Sequence, residues 1–305
     1  MRILLAGATG TLGKELVPLL IAAGHEVTGL TRSERGVAAL AAAGADGLVV
    51  DMMDGAGLMA ALEGRSADAV IHQATAITGA PLFHRALHAT DDLRDRGTAN
   101  LLRAARLVGA KRFVTQSFFL GYGYRDLGPG LVTEERPFGV RQGGAFDRHL
   151  DSMRSNEEQV LGADGIEGIS LRYGMFYGPE PATRNLLRMT RRRRLPATRP
   201  SGTISPIHIR DAASATVAAL ERGRAGEAYN VCDDEPLEFA EYIRALARAA
   251  GAPPPPVVPG WVLRATPYMH ALMVRTRVAL SNAKAREELG WAPAYPSARE
   301  GLAAL

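Results

Sequence analysis

Short apolar runs alternate along the first part of the chain with longer segments whose apolar positions recur every three to four residues. Runs near 2–6, 26–31, 47–50, 69–72, 112–117 and 168–173 read as buried strands, and segments at 12–23, 36–43, 90–108 and 149–162 as helices facing them. This βαβ rhythm predicts an α/β fold, a Rossmann-type doubly wound parallel sheet. From Phe118 to about Phe146 the period gives way to Gly, Tyr and Pro, as in a long functional loop. Beyond Tyr177-Gly178-Pro179 the pattern is mixed, with a helix at 210–222, a strand at 227–232, a helix at 236–250 and a spacer from Pro253 to Pro256. The expected division is therefore a Rossmann domain over 1–175 and a smaller C-terminal α+β substrate lobe over 176–305, some of whose segments rejoin the sheet.

Gly7-Ala8-Thr9-Gly10-Thr11-Leu12-Gly13 follows the first strand and opens the first helix. In that context glycines permit a tight turn and close backbone approach, and the helix N-terminus offers unpaired N–H groups to a pyrophosphate. Gly7, Thr9, Gly10, Thr11 and Leu12 are thus expected to hold a dinucleotide. The second strand ends Thr31-Arg32-Ser33, with arginine where a carboxylate would hold a free ribose 2′-hydroxyl. A guanidinium pairs with a 2′-phosphate, so the expected cofactor is NADPH/NADP+; a solvated loop arginine is the plainer alternative. Asp51 and Met52, after the third strand, stand where a carboxylate and an apolar cover meet adenine, although an aspartate there also suits a turn. Gln73, Ala74 and Thr75 close the fourth strand at the ligand-binding edge, whereas His72 reads as a buried structural residue.

With 305 residues and 47% hydrophobic composition the chain can bury one large core and a smaller one. The opening Met1-Arg2-Ile3-Leu4-Leu5-Ala6 run reads as a strand, not a signal peptide, and no apolar run approaches a membrane span. One cysteine, Cys232, excludes an internal disulfide framework and a multi-thiolate zinc site, fits a reducing cytoplasm, and leaves no metal expectation. Only Lys14, Lys111 and Lys284 among the 36 basic residues are lysines. The arginine excess matches a GC-rich coding bias, and Arg191-Arg192-Arg193-Arg194 reads as a solvated helix end, so no nucleic-acid partner is expected.

Several further stretches resemble the extended short-chain dehydrogenase/reductase superfamily, also called the NAD-dependent epimerase/dehydratase family. They are Gly97-Thr98-Ala99-Asn100, Phe113-Val114-Thr115-Gln116-Ser117, Leu171-Arg172-Tyr173-Gly174-Met175-Phe176-Tyr177-Gly178-Pro179, Ile207-His208-Ile209-Arg210-Asp211 and Lys284 to Trp291. The resemblance implies that Thr115, Gln116 and Tyr173 also line the cofactor. It further implies a catalytic Tyr-x-x-x-Lys on the helix after the long loop. Here that register holds His149 and Met153, and none of the eight tyrosines has a lysine four residues later. The familiar acid/base pair is excluded by inventory. The position of the usual serine falls on Phe118, one residue past Ser117.

A ketone accepting hydride still needs a proton. The remaining sources are His149, read as a helix-start and exposed histidine; Ser117 with Gln116, or a backbone-satisfied strand-end serine; a loop tyrosine such as Tyr122 or Tyr124; and a phenol on the substrate itself. Phe118, Phe119, Tyr122 and Phe176 suit a flat aromatic ligand, or equally packing beneath the loop. The missing pair and the Thr115-to-Phe118 stretch resemble an atypical actinobacterial branch of the family that includes an angucyclinone ketoreductase, which implies reduction of an aromatic polyketide ketone. A sugar-nucleotide epimerase or dehydratase and a non-catalytic NADP(H) sensor are the competing readings. A monomer or homodimer is expected.

Overall fold

In the computed structural model, which describes residues 1–77, 79 and 81–305, seven parallel strands form one sheet in the order β11-β6-β5-β4-β1-β2-β3. These are β1 (Arg2–Ala6), β2 (Glu26–Thr31), β3 (Asp46–Val49), β4 (Ala69–His72), β5 (Arg112–Phe118), β6 (Glu167–Tyr173) and β11 (Glu227–Val231). The central strands are buried on both faces, hence their nearly continuous Val/Ile/Leu/Phe character. The order reverses between β1 and β4, and in an open sheet ligands bind at the carboxyl ends beside such a switch.

Helices α1 (Thr11–Ala22) and α8 (Ile209–Arg222) pack together on one face over Ile3, Leu5, Ile71, Val114 and Leu171. The other face buries Leu4, Val70 and Phe113 against α3 (Gly55–Leu62) and α5 (Thr98–Leu107), with α6 (Phe146–Leu161) packed on β5 and β6. Helix α2 (Glu34–Ala42) starts on Ser33, whose Oγ accepts from the Gly36 N–H. A short α4 (His88–Asp92) leads through a π-helical stretch, Leu93–Gly97, into α5.

The remaining chain builds a second core. Short pairs β7 (Met175–Tyr177) with β10 (Pro206–His208), β9 (Thr203–Ile204) with β12 (Leu237–Glu238), and β8 (Ala197–Arg199) with β13 (Val257–Pro259) join α7 (Pro181–Arg191), α9 (Phe239–Ala249) and α10 (Pro267–His270). Phe119, Tyr122, Ile204, Phe239, Ile243 and Met273 meet there. Helices α11 (Ala283–Leu289) and α12 (Ala298–Ala303) close the chain. Cys232 lies fully buried at the end of β11.

Four expectations need correction. Strand β5 runs on through Phe118, and a 3-10 turn over Phe119–Tyr122 opens what the pattern presents as loop. Helix α6 begins at Phe146, so His149 lies within its first turn. Helix α3 is additional, hidden by its Gly55-Ala56-Gly57 start, and the helix expected over 90–108 contains the π-helical stretch. Among the described residues no helix is long and apolar enough to cross a membrane.

Candidate functional site

The glycine loop has the geometry a dinucleotide needs. Gly7 has φ +87°, and a Cβ there would lie 2.6 Å from the backbone of Gln73 and Ala74. A Cβ on Gly13 would collide with the carbonyl oxygens of Gly7 and Ala8. Gly10 precedes α1 with no side-chain cap, and no acidic residue sits in the first turn, so the positive helix end stays open. Thr9 is half-buried, Thr11 exposed and Leu12 buried. These residues fit a pyrophosphate held by backbone N–H groups.

Around it, Arg32 is exposed at the end of β2. Asp51 is exposed and its Oδ1 accepts from the Met53 N–H at 2.9 Å, while Met52 is buried against Gly97. Ala74 is half-buried and Thr75 exposed at the end of β4. Gln73 Nε2 donates to the Tyr173 hydroxyl at 3.0 Å, and that hydroxyl also meets Thr216 Oγ1 at 2.7 Å. Both side chains therefore tie β4, β6 and α8 together. Burial raises the Tyr173 phenol well above its ordinary range. Thr115 is committed likewise, sharing hydrogen bonds with Asn156 of α6, whose Nδ2 also donates to Thr98 of α5 at 2.7 Å. In contrast, Gln116 Nε2 and Ser117 Oγ are buried at the carboxyl end of β5 without a hydrogen-bond partner among the described residues. Buried polar atoms without partners are costly, and here they lie at the sheet edge used for ligands.

His149 corrects an expectation. It is fully buried, not an exposed helix-start residue. Its Nδ1 lies 2.8 Å from Asp91 Oδ2, and its Nε2 lies 3.0 Å from His84 Nδ1. A carboxylate accepting from Nδ1–H leaves the lone pair on Nε2, which accepts from His84 Nδ1–H. The two rings lie within 12° of a common plane with centroids 5.2 Å apart, an edge-to-edge arrangement that suits an in-plane hydrogen bond. Ser152 Oγ donates to Asp91 Oδ1 at 3.0 Å, and Arg148 Nε lies 3.5 Å from Oδ2. His84 is half-buried, so its free Nε2 ends the chain near the surface. Burial, with the neighbouring His149 and His88 imidazoles, lowers its pKa below the ordinary histidine value. His72 is fully buried, hydrogen-bonded to the Leu93 carbonyl at 3.3 Å, and burial pushes its pKa down to about 4.

The predicted aromatic residues separate into two groups. Phe118 and Phe176 are half-buried. Phe119 and Tyr122 are sealed in the second core and offer no surface to a ligand in this structure. The Tyr122 hydroxyl donates to Asn230 Oδ1 and accepts from Arg172 Nη1, each at 2.8 Å. Around His84 stand Phe146 at 4.3 Å and Tyr268 at 6.0 Å between ring centroids, with Tyr124 4.3 Å from Phe146.

Sequence reasoning missed Asp91, His84 and Tyr268. The available signal was the density of His84, His88 and Asp91 in one short segment, with His84 and Asp91 seven residues apart and hence on one helical face.

The chain is 34% identical, over 99% of its own length and 99% of the relative's, to the 3-diazoavenalumate denitrifying reductase of a Streptomyces species. It is 27% identical, over 100% of its length and 96% of the relative's, to the 4-hydroxy-2-methyl-3-oxo-4-farnesyl-3,4-dihydroquinoline-1-oxide ketoreductase of Stigmatella aurantiaca. Among solved structures, UDP-glucose 4-epimerase of Thermotoga maritima superimposes with a TM-score of 0.79 at 19% identity, covering 99% of this chain and 96% of that one. The Thermus thermophilus UDP-glucose 4-epimerase complexed with NAD gives 0.74 at 24% identity, covering 99% and 97%. At those identities the structures speak for the fold alone. The profile of the NAD dependent epimerase/dehydratase family matches residues 3–232, and with most of the chain so matched, the protein belongs to that family.

Proposed function

We propose that the protein is an NADPH-dependent reductase that delivers hydride to a ketone on an aromatic small molecule, of the aromatic polyketide class, without a Tyr/Lys pair. Bound NADPH would supply the hydride. The glycine loop would hold its pyrophosphate, Arg32 its 2′-phosphate, and Gln116 and Ser117 would donate toward ligand oxygens at the end of β5.

The observation carrying this reading is the Asp91-His149-His84 chain, whose middle member stands where the family resemblance puts a tyrosine. Protonated at Nε2, His84 would give the developing alkoxide its proton and return to the neutral form, with Asp91, acting through His149, stabilising the imidazolium beforehand. A phenol beside the ketone would share this task. Because His84 titrates below its ordinary value, ketone turnover should fall as pH rises through the acid side of neutrality.

A second reading has its own support. The 34% identical full-length relative is a denitrifying reductase of a diazo compound. Hydride replacing dinitrogen on an aryl diazonium ion gives the arene and N2 and consumes no proton, which suits a chain lacking the usual acid.

Purified protein and NADPH should be offered ortho-hydroxyaryl ketones, their methyl ethers and an ortho-hydroxyaryl diazonium salt, with cofactor oxidation followed between pH 5.5 and 9. Ketone turnover that falls with pH and collapses in His149→Phe supports the first reading. Turnover of the diazonium salt alone, flat in pH and matched by N2 release, replaces it with the second. NADPH binding without reduction of any acceptor overturns both.

A further inference from the structure

Arg94 is buried, 6% exposed, in the π-helical stretch between α4 and α5, yet its Nε has no hydrogen-bond partner among the described residues. Among the described residues it makes no ion pair within 4 Å. An arginine so placed is costly unless something else shares its charge.

Its location is fixed from three sides. The preceding carbonyl, that of Leu93, meets Nε2 of His72, the last residue of β4. Thr98, one turn further on, joins Asn156 and Thr115 in the hydrogen-bonded layer beneath the sheet edge. One turn back along α6 from Asn156 is Ser152, and two residues on from Thr115 is Ser117. Arg94 therefore belongs to the next level toward the carboxyl edge, where Ser152 and His149 meet Asp91. Asp91, Tyr124, Tyr268 and His72 are the titratable groups whose fields reach it.

At this level donors exceed acceptors. Arg94 Nε, Gln116 Nε2 and Ser117 Oγ all lack partners. Asp91, the one carboxylate whose field reaches Arg94, is already engaged by His149, Ser152 and Arg148. The site has an unspent positive charge beside the place where a ligand enters a sheet of this kind.

We propose that Arg94 receives a carboxylate on the aromatic substrate, an inference that rests on the reductase reading and names its substrate class as aromatic acids. A guanidinium fork matches a carboxylate bidentately, and a neutral amide of the same shape cannot supply the missing charge.

The test is a binding measurement, independent of turnover. With NADP+ present at saturation, 4-hydroxycinnamate and its primary amide are titrated calorimetrically into wild type, Arg94→Met and Arg94→Lys. Wild type should bind the acid at least about tenfold more tightly than the amide. Arg94→Met should abolish that preference and Arg94→Lys should keep part of it. Removing an unpaired buried charge should also leave the melting temperature of Arg94→Met equal to or above wild type, whereas a purely structural arginine would lower it. Equal binding of acid and amide by wild type, no binding of the acid, or a preference that survives in Arg94→Met overturns the proposal. Reduction of a neutral aromatic ketone in those circumstances would leave the reductase reading standing.

Discussion

Arg32 and Asp233 show how single side chains give measurable signatures. Arg32 lies in the open at the end of β2, where a 2′-phosphate could reach it. Arg32→Ala should weaken NADPH by about tenfold or more while changing NADH by less than about twofold, as read by fluorescence titration of the reduced cofactors. Asp233 lies buried beside β10, its Oδ1 accepting from the His208 N–H at 3.2 Å, and burial raises its pKa from 3.8 to about 8. The folded chain thus retains a proton that the unfolded chain releases above about pH 4. Its contribution is fully favourable below that pH and is lost as pH rises toward 8. Asp233→Asn cannot ionise, so its melting temperature relative to wild type should climb between pH 4 and 8 and level off beyond. A difference that stays constant over this range would refute the assignment. At this scale the sequence was informative where backbone geometry alone decides, as with the turn and close approach at Gly7 and Gly13. It was silent on the Asp91-His149-His84 chain, because α6 supplies its middle member and a segment far upstream the other two.

Helices α5 and α6 are locked to the sheet by polar side chains that a hydrophobic pattern does not register. Asn156 bonds both Thr98 and Thr115, and one residue on, Glu157 pairs with Arg172 of β6 at 2.7 Å with both side chains buried. Breaking such a pair strands the remaining charge, so Glu157→Gln should cost about 3 kcal/mol in denaturant unfolding. Burial opposes the Arg172 charge, but Glu157 and Tyr122 hold its pKa above its ordinary value. The strands were legible because an all-parallel buried sheet writes itself as apolar runs. Helix α3 was not, since glycine at its first and third positions weakens the helical signal. The π-helical stretch was also hidden: its wider turn shifts the period without changing composition, and Arg94 is buried within it.

For the molecule as a whole, a strand from beyond residue 175 returns to the sheet of the first part, in keeping with a lobe some of whose segments rejoin it. Strand β11 pairs along β6 from Glu227↔Ile169 to Val231↔Tyr173, and α8 covers the same face as α1. A fragment ending at residue 175 would leave β6 as an open edge and bare the apolar cluster around Leu16, Ile169 and Leu171. It should be recovered insoluble, or without a cooperative thermal transition, whereas the full chain should melt in one step. The return of a late strand to an early sheet was anticipated only in outline, because pairing partners so distant in sequence leave no local periodicity.

Cys232 follows β11 directly, fully enclosed, with burial raising its thiol well above the ordinary value. As the sole cysteine in the chain, it makes the edge of the sheet its own reporter. An aromatic disulfide reagent can reach that sulfur only after the β11 edge parts from its cover, so the labelling rate of unmodified protein counts those openings. If NADPH and an aromatic acid close the molecule around β4 and β5, they should slow this clock together more than either does alone.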